Sequence, residues 1–277
     1  DLDKAFYPIR QIENMQIEPI YGRGYKLEVS RGCLFWCSFC IESRAFQPYR
    51  ERSYPVLKSI IERGIEYSTS GKRVVLYALA FPVSPNNVRL LEYLAGEQFR
   101  ASLPSLRITP MLEKSLELIK ILGQKTLSVA PESFSSLVQS VLFKYAGLVD
   151  YVTSSLKHII DYGFDLKVYM IYGFKGLESK GVLEESVKAI RELASYAKSH
   201  GRRIVVSLNP LVPKPHTLFQ HVGMMTREEL MALLMEYKSL LRGLVEHRPY
   251  DIDWAIVQAQ IALATRPLGE FIVKWAQ

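Results

Sequence analysis

Three cysteines fall within eight residues, Cys33-Leu-Phe-Trp-Cys37-Ser-Phe-Cys40, and the 277-residue sequence holds no others. Thiolates are soft ligands that suit zinc and iron–sulfur centres. Three of them on one short loop can wrap a single inorganic centre. A structural zinc site and a closed iron–sulfur cluster both ask for four protein ligands. No fourth cysteine exists, and the nearest downstream histidine is His158. Three ligands leave one position open, which is the mark of a reactive metal centre. The residues by themselves also allow a zinc knuckle completed by a distant His or Asp, a redox-switch cluster, or three unrelated buried cysteines. An odd count confined to one loop excludes a disulfide-stapled secreted scaffold.

The loop follows an apolar, β-rich run, Tyr25–Ser30, and is entered through Ser30-Arg31-Gly32. Five more such runs follow: Arg73–Ala80, Leu103–Ile108, Thr126–Ala130, Leu166–Tyr172 and Arg203–Leu208. Helical patterns come between and after them: Tyr54–Ser70, Pro85–Gly96, Pro110–Leu122, Ser133–Lys144 with Val149–Tyr162, Val182–His200 and Thr226–Glu246. Val187, Ile190, Leu193 and Ala194 share one helical face. Thr226-Arg-Glu-Glu229 reads as a capping box. Six strand–helix units in series predict a parallel sheet with right-handed crossovers, either open or closed into a partial barrel. Functional groups then gather at the carboxyl ends of the strands. Residues 1–24 lie outside the pattern, and Tyr250–Gln277 reads as a closing helix.

Composition agrees with a globular enzyme-sized chain. Apolar residues make up 48% and charged residues 23%, which excludes a disordered chain. No apolar run approaches the roughly 18 residues of a membrane span. The opening Asp1-Leu2-Asp3-Lys4 is charged, unlike a signal peptide. The net charge is +7, from 35 Lys and Arg against 28 Asp and Glu. It is spread along the chain with no Lys/Arg block, so RNA is an allowed partner that the charge does not favour.

At the cysteine loop the sequence resembles the radical SAM superfamily, whose members carry C-x3-C-x-aromatic-C after the first strand of a six-stranded partial barrel. Here the aromatic residue is Phe39. The resemblance spans roughly residues 25–220. It implies an α/β fold, a partial (β/α)6 TIM-like barrel, with a C-terminal helical extension. The domains would be an N-terminal linker at 1–24, a core at 25–222 and the extension at 223–277. It further implies that Cys33, Cys37 and Cys40 hold a 4Fe-4S cluster whose open iron chelates S-adenosylmethionine (SAM). One electron would then cleave SAM to a 5′-deoxyadenosyl radical for C–H functionalisation of an unidentified substrate. A reductant such as ferredoxin or flavodoxin and a cytoplasmic location follow from that chemistry.

Other segments are similar to the cobalamin-binding branch of this superfamily. They are Leu2-Asp3-Lys4-Ala5-Phe6-Tyr7-Pro8-Ile9-Arg10, Ser102–Ile108, Ala130-Pro131-Glu132-Ser133 and Val212–Gln220. That likeness implies cobalamin as a further cofactor, carried by an upstream domain that this chain, starting at Asp1, would have lost or had trimmed. Methylation would then be the leading chemistry. A tRNA methylthiotransferase and a non-catalytic zinc- or cluster-stabilised binding protein are the alternatives.

The resemblance also nominates cofactor-binding positions at the strand ends. Ser128 and Glu132, at the end of the fourth run, would face the ribose or the methionine end of SAM. Glu132 could instead support a helix N-terminus. Gly173 would admit adenine close to the backbone, although Gly173-Phe-Lys-Gly176-Leu-Glu178 departs by one residue from the family's Gly-Leu-Pro-x-Glu and also reads as a plain turn. Asn209 would contact the cofactor and the backbone of Leu211-Val212-Pro213 would flank adenine, from a loop stiffened by Pro210, Pro213 and Pro215, with Lys214 and His216 reaching the substrate or the SAM carboxylate; the loop also reads as a rigid connector with solvated charges. Arg44, Arg50 and Arg52 could neutralise cluster or carboxylate charge, or be ordinary surface arginines. Leu76–Pro82 departs from the Gly-Gly-Glu stretch that many members carry there, so no side chain is assigned to the methionine amino group.

Overall fold

The computed structural model describes residues 1–14 and 16–276. Its strands are β1 (Tyr25–Glu28), β2 (Ser30–Arg31), β3 (Arg50–Glu51), β4 (Arg73–Tyr77), β5 (Arg100–Ser102), β6 (Thr126–Glu132), β7 (Asp165–Tyr172), β8 (Ile204–Pro210) and β9 (Glu246–His247). Its helices are α1 (Glu42–Ala45), α2 (Tyr54–Gly64), α3 (Pro85–Gly96), α4 (Pro110–Ile121), α5 (Ser136–Leu142), α6 (Val149–Asp161), α7 (Lys180–Ser199), α8 (Arg227–Leu240), α9 (Ile252–Leu263) and α10 (Leu268–Trp275). The strand–helix alternation is the predicted one, and the α/β class with parallel pairing follows from it. The chain forms two compact units. One is Asp1–Leu34, Ala45–Ala130 and Ser154–Leu166; the other is Phe35–Arg44, Pro131–Thr153 and Lys167–Gln277.

In the first unit β1, β4 and β5 form a parallel sheet in that order, with Tyr25 opposite Val74 and Glu28 opposite Tyr77. Val74, Val75 and Leu76 are all buried, as expected for a parallel strand covered on both faces. Leu57, Ile60 and Ile61 of α2, and Leu90, Leu91 and Leu94 of α3, supply buried helical faces. The third predicted run, Leu103–Ile108, is not a strand. The strand lies just before it at β5, because Pro104 has no N–H to give a ladder; Leu106 keeps a single parallel bridge to Val129.

Residues 1–11 are fastened to this unit. Arg52 is buried, and its guanidinium donates to the carbonyl of Leu2 at 2.6 Å, to that of Ala5 at 3.4 Å and to the Glu28 carboxylate at 3.0 Å. The Gln11 side-chain amide donates to the Lys26 carbonyl and accepts from its N–H, at 2.7 and 2.9 Å, imitating a strand along the edge of β1.

The other large sheet has the order β6-β7-β8-β9, and β9 pairs in parallel with β8. The predicted helix at Thr226–Glu246 therefore ends early, at Leu240, to leave chain for β9. Its capping box is present: the Thr226 hydroxyl accepts from the Glu229 N–H, and the Glu229 carboxylate accepts from the Thr226 N–H. The predicted closing helix is two helices, α9 and α10, with the break at the extended Ala264 and Pro267 capping the start of α10. Among the described residues no helix is long and apolar enough to cross a membrane.

Candidate active site at the cysteine loop

β2 and β3 pair antiparallel, Ser30 with Glu51 and Arg31 with Arg50, so the chain between them, cysteines included, is a closed excursion. Gly32 opens it with φ +84°; a Cβ there would run into the carbonyl oxygen of Phe46 and lie 3.0 Å from that of Pro48. The Gln47 amide donates to the Cys33 carbonyl at 2.9 Å. Arg50 donates to the carbonyls of Pro48 and Phe46 at 2.9 and 3.2 Å. The step into the first cysteine is thus held by backbone contacts that leave no room for a side chain.

The second half of the loop is held differently. Cys37 is buried and Cys40 half-buried, and the Cys40 N–H donates to the Cys37 carbonyl at 3.1 Å. Ser38, fully buried between them, has three backbone-directed bonds. Its N–H donates to the Leu142 carbonyl at 3.0 Å, its hydroxyl donates to the Val141 carbonyl at 2.7 Å, and its own carbonyl accepts from the Leu218 N–H at 3.1 Å. Helix ends leave carbonyls unpaired, and the cysteine loop takes two of them from the end of α5. Phe39 packs on a buried cluster that includes Leu142, Phe174, Leu211 and Phe219. The loop is therefore seated on the residues next to two further predicted positions, Gly173 and Val212.

No disulfide joins Cys33, Cys37 or Cys40. A single zinc ion would need its thiolates to converge about 2.3 Å from one point, whereas a four-iron cluster takes one cysteine per iron and spreads them. Among the described residues no three His, Cys, Asp or Glu side chains are grouped to hold one ion. As a donor set, three cysteines in this spacing on one loop fit the cluster.

Glu132 ends β6 with φ +70° and is buried. It does not support a helix N-terminus, since Ser135 takes the N-cap position of α5. Its carboxylate instead meets Lys144 at 2.8 Å, each side chain about one-tenth exposed. The buried Gln139 amide holds this turn by donating to the carbonyls of Pro131, at 2.6 Å, and of Ser133. The Lys144 ammonium also stands 5.8 Å from the centre of the Phe39 ring. Burial pulls the Lys144 pKa down, but the negative charges of Glu132, Tyr145 and Cys37 outweigh it and leave it raised. Sequence reasoning did not single out Lys144, which was only the last residue of the predicted helix Ser133–Lys144.

Gly173 has φ +80°, and its Cβ direction is filled by Leu230 of α8, with the Met225 sulfur at 3.6 Å. Its N–H and that of Phe174 donate to the Glu178 carboxylate at 2.8 and 3.1 Å, so Glu178 closes this turn despite its shifted spacing. Burial pushes the Glu178 carboxyl pKa up, partly offset by those two amides. Asn209, half-buried on β8, donates to the carbonyls of Met170 and Ser207 at 3.4 Å, and half-buried Val212 follows Leu211, whose N–H donates to the Tyr172 carbonyl at 2.8 Å. Burial pulls the Lys214 pKa down, while His216 is exposed.

Ser128 is half-buried on β6, in the first unit with Cys33; Phe39, Glu132, Gly173, Asn209 and Val212 are in the second. Arg52 serves the N-terminal segment, Arg50 braces the loop, and Arg44 lies over the Trp36 ring at 4.6 Å.

The family model of the radical SAM superfamily matches residues 27–184, more than half of the chain. The uncharacterized protein MJ0966 of Methanocaldococcus jannaschii is 29% identical over 216 residues, which are 77% of this chain and 46% of that protein. The chain thus spans about half the length of this curated relative. Among solved structures, HydG, a maturase of the [FeFe]-hydrogenase, aligns with a TM-score of 0.54 at 13% identity, covering 87% of this chain and 54% of HydG. A radical SAM methyltransferase from Sphaerobacter thermophilus aligns at 0.53 and 15%, covering 84% and 67%. The cobalamin-dependent SAM radical enzyme OxsB, solved with aqua-cobalamin and SAM, aligns at 0.51 and 15%, covering 65% and 29%. At these identities the likeness is one of fold, an α/β fold with parallel sheets consistent with a partial barrel.

Proposed function

Because this chain belongs to the radical SAM superfamily, we propose that Cys33, Cys37 and Cys40 ligate three irons of a 4Fe-4S cluster and leave the fourth iron for SAM. The observation that carries this reading is the set of three cysteines in C-x3-C-x2-C spacing just after β2, none of them in a disulfide, on a loop closed by the β2–β3 pairing and tied down at Ser38 by backbone bonds. A cluster held by Cys33, Cys37 and Cys40 would supply the single electron needed to break the S–C5′ bond of SAM, with methionine as the leaving group and the 5′-deoxyadenosyl radical available to take hydrogen from a substrate. The protein's own work is to hold and shield. Gly32 and Gln47 set the approach to Cys33. Ser38 fixes the Cys37–Cys40 segment, and the apolar residues behind Phe39 keep water from that side. Water and oxygen excluded in this way cannot quench a radical.

Ser128, Glu132, Gly173, Asn209 and Val212 are proposed to line the SAM site. The finer proposal is C–H functionalisation with methyl transfer as the candidate reaction, supported by the fold likeness to a radical SAM methyltransferase and to OxsB. Cobalamin is the candidate second cofactor. A low-potential reductant such as ferredoxin or flavodoxin and a reducing, cytoplasmic setting complete the proposal.

Anaerobic reconstitution tests it: about four irons per chain are expected, with SAM-dependent release of 5′-deoxyadenosine on reduction. Cys37→Ala should lose iron and that product together. Zinc in place of iron without SAM cleavage, or full activity in Cys37→Ala, would refute the assignment. Cobalamin bound to the full-length protein would support methyl transfer, and its absence would count against it.

A further inference from the structure

We propose that Lys144 and Glu132 form a buried charge pair that sets the electron affinity of the cluster on the cysteine loop, Lys144 favouring the reduced state and Glu132 attenuating it. This rests on the cluster reading above. Placement comes first. Ser38, between Cys37 and Cys40, ties the centre of the loop to the last two carbonyls of α5, at 2.7 and 3.0 Å. Lys144 follows that helix by two residues, after Phe143 has turned the chain with φ +50°. Its ammonium reaches 5.8 Å from the centre of the Phe39 ring, and Phe39 is the neighbour of Cys40.

The second step is electrostatic. Reduction adds one negative charge to the cluster. A fixed cation nearby stabilises that charge, and the effect is large where water is excluded and the effective dielectric is low. Net charge, hydrogen bonding and solvent exposure are the protein's means of setting such potentials. Glu132, 2.8 Å from Lys144, opposes part of the cation's field. A buried ion pair adds little to net stability once both charges are desolvated, so fold stability alone gives weak reason for this one. The turn that presents Glu132 is moreover built for it, with Gln139 holding the carbonyls on either side.

The test compares wild type, Lys144→Met, Lys144→Arg and Glu132→Gln after anaerobic reconstitution. Iron per chain and the midpoint potential are read by EPR-monitored titration without SAM, so that any contact between Glu132 and SAM does not enter. Lys144→Met should shift the potential negative and Glu132→Gln positive. Each shift should be at least about tenfold in the reduced-to-oxidised ratio, which is about 59 mV for one electron. Lys144→Arg should stay within about threefold of wild type, since it keeps the charge. If Lys144→Met holds no iron, Glu132→Gln and Lys144→Arg decide by the same criteria. Shifts of one sign, or under about threefold in iron-replete Lys144→Met and Glu132→Gln, overturn the proposal while leaving the cluster reading intact. A wild-type chain that takes up no iron overturns the cluster reading itself, and this proposal with it.

Discussion

Gly32→Ala is the sharpest single test of how the cysteine loop is held. Gly32 carries φ +84°, and a left-handed conformation costs an L-residue about 1–2 kcal/mol. The added methyl would also run into the Phe46 carbonyl oxygen and approach that of Pro48 at 3.0 Å. Those are backbone atoms, both braced by Arg50, at 3.2 Å for Phe46 and 2.9 Å for Pro48, so they cannot rotate away as a side chain could. Overpacking of this kind adds roughly 1–3 kcal/mol, for a total of about 2–5 kcal/mol. Gly71 is the internal control, with φ +60° and open space within 4 Å of where a Cβ would stand. Gly71→Ala should therefore cost only the conformational part, about 1–2 kcal/mol. For a chain of this size 1 kcal/mol moves Tm by about 2–4 °C. Thermal unfolding of both variants, with iron content after reconstitution, reads the difference. Gly32→Ala should melt several degrees below Gly71→Ala and hold less iron. Equal melting temperatures with full iron in both would refute the claim that this contact positions Cys33.

Two further variants probe the supports around the site. Arg52→Met should cost about 1–3 kcal/mol, because it leaves the Leu2 carbonyl without its buried donor while Glu28 keeps Arg31. Limited proteolysis should then cut within residues 1–11 faster than in wild type, and an unchanged cleavage rate would count against the anchoring role. Glu178 has a pKa raised from its ordinary 4.5 by burial, so the folded state holds its proton more tightly than the unfolded chain. Its contribution is present below that ordinary value and is lost as pH rises through the folded pKa. Glu178→Gln should therefore flatten that part of the Tm–pH profile while keeping an oxygen for the amides of Gly173 and Phe174. A profile superimposable on wild type would show that Glu178 does not titrate in this window.

Periodicity and punctuation were readable from the sequence wherever the stabilising contacts are local. α3 begins and ends at the expected residues, with Ser84 accepting at its N-cap and Pro85 following. The Thr226–Glu229 box needed no more than four consecutive residues. Misreadings arose where a single residue's chemistry overrode the apolar pattern. Pro104 held the third run to a single bridge, and the last helix is interrupted between Leu263 and Leu268, with Pro267 opening the second piece. Glu178 was legible as a residue but its role was not, because the turn lets its carboxylate fold back on two amides at a spacing unlike the family's usual one.

The sequence by itself determined the cysteine spacing, the family and the succession of strands and helices. Each is a property of residue type and of separations no longer than one element. The tertiary structure alone decided what surrounds the cysteines. Ser38 finds its acceptor 103 residues away, and Ser30 pairs with Glu51 across the whole loop. Lys144 became a buried partner of Glu132, twelve residues earlier in the chain, instead of a surface cation. No local pattern encodes these meetings, because burial and charge pairing depend on which chain segments the fold brings together.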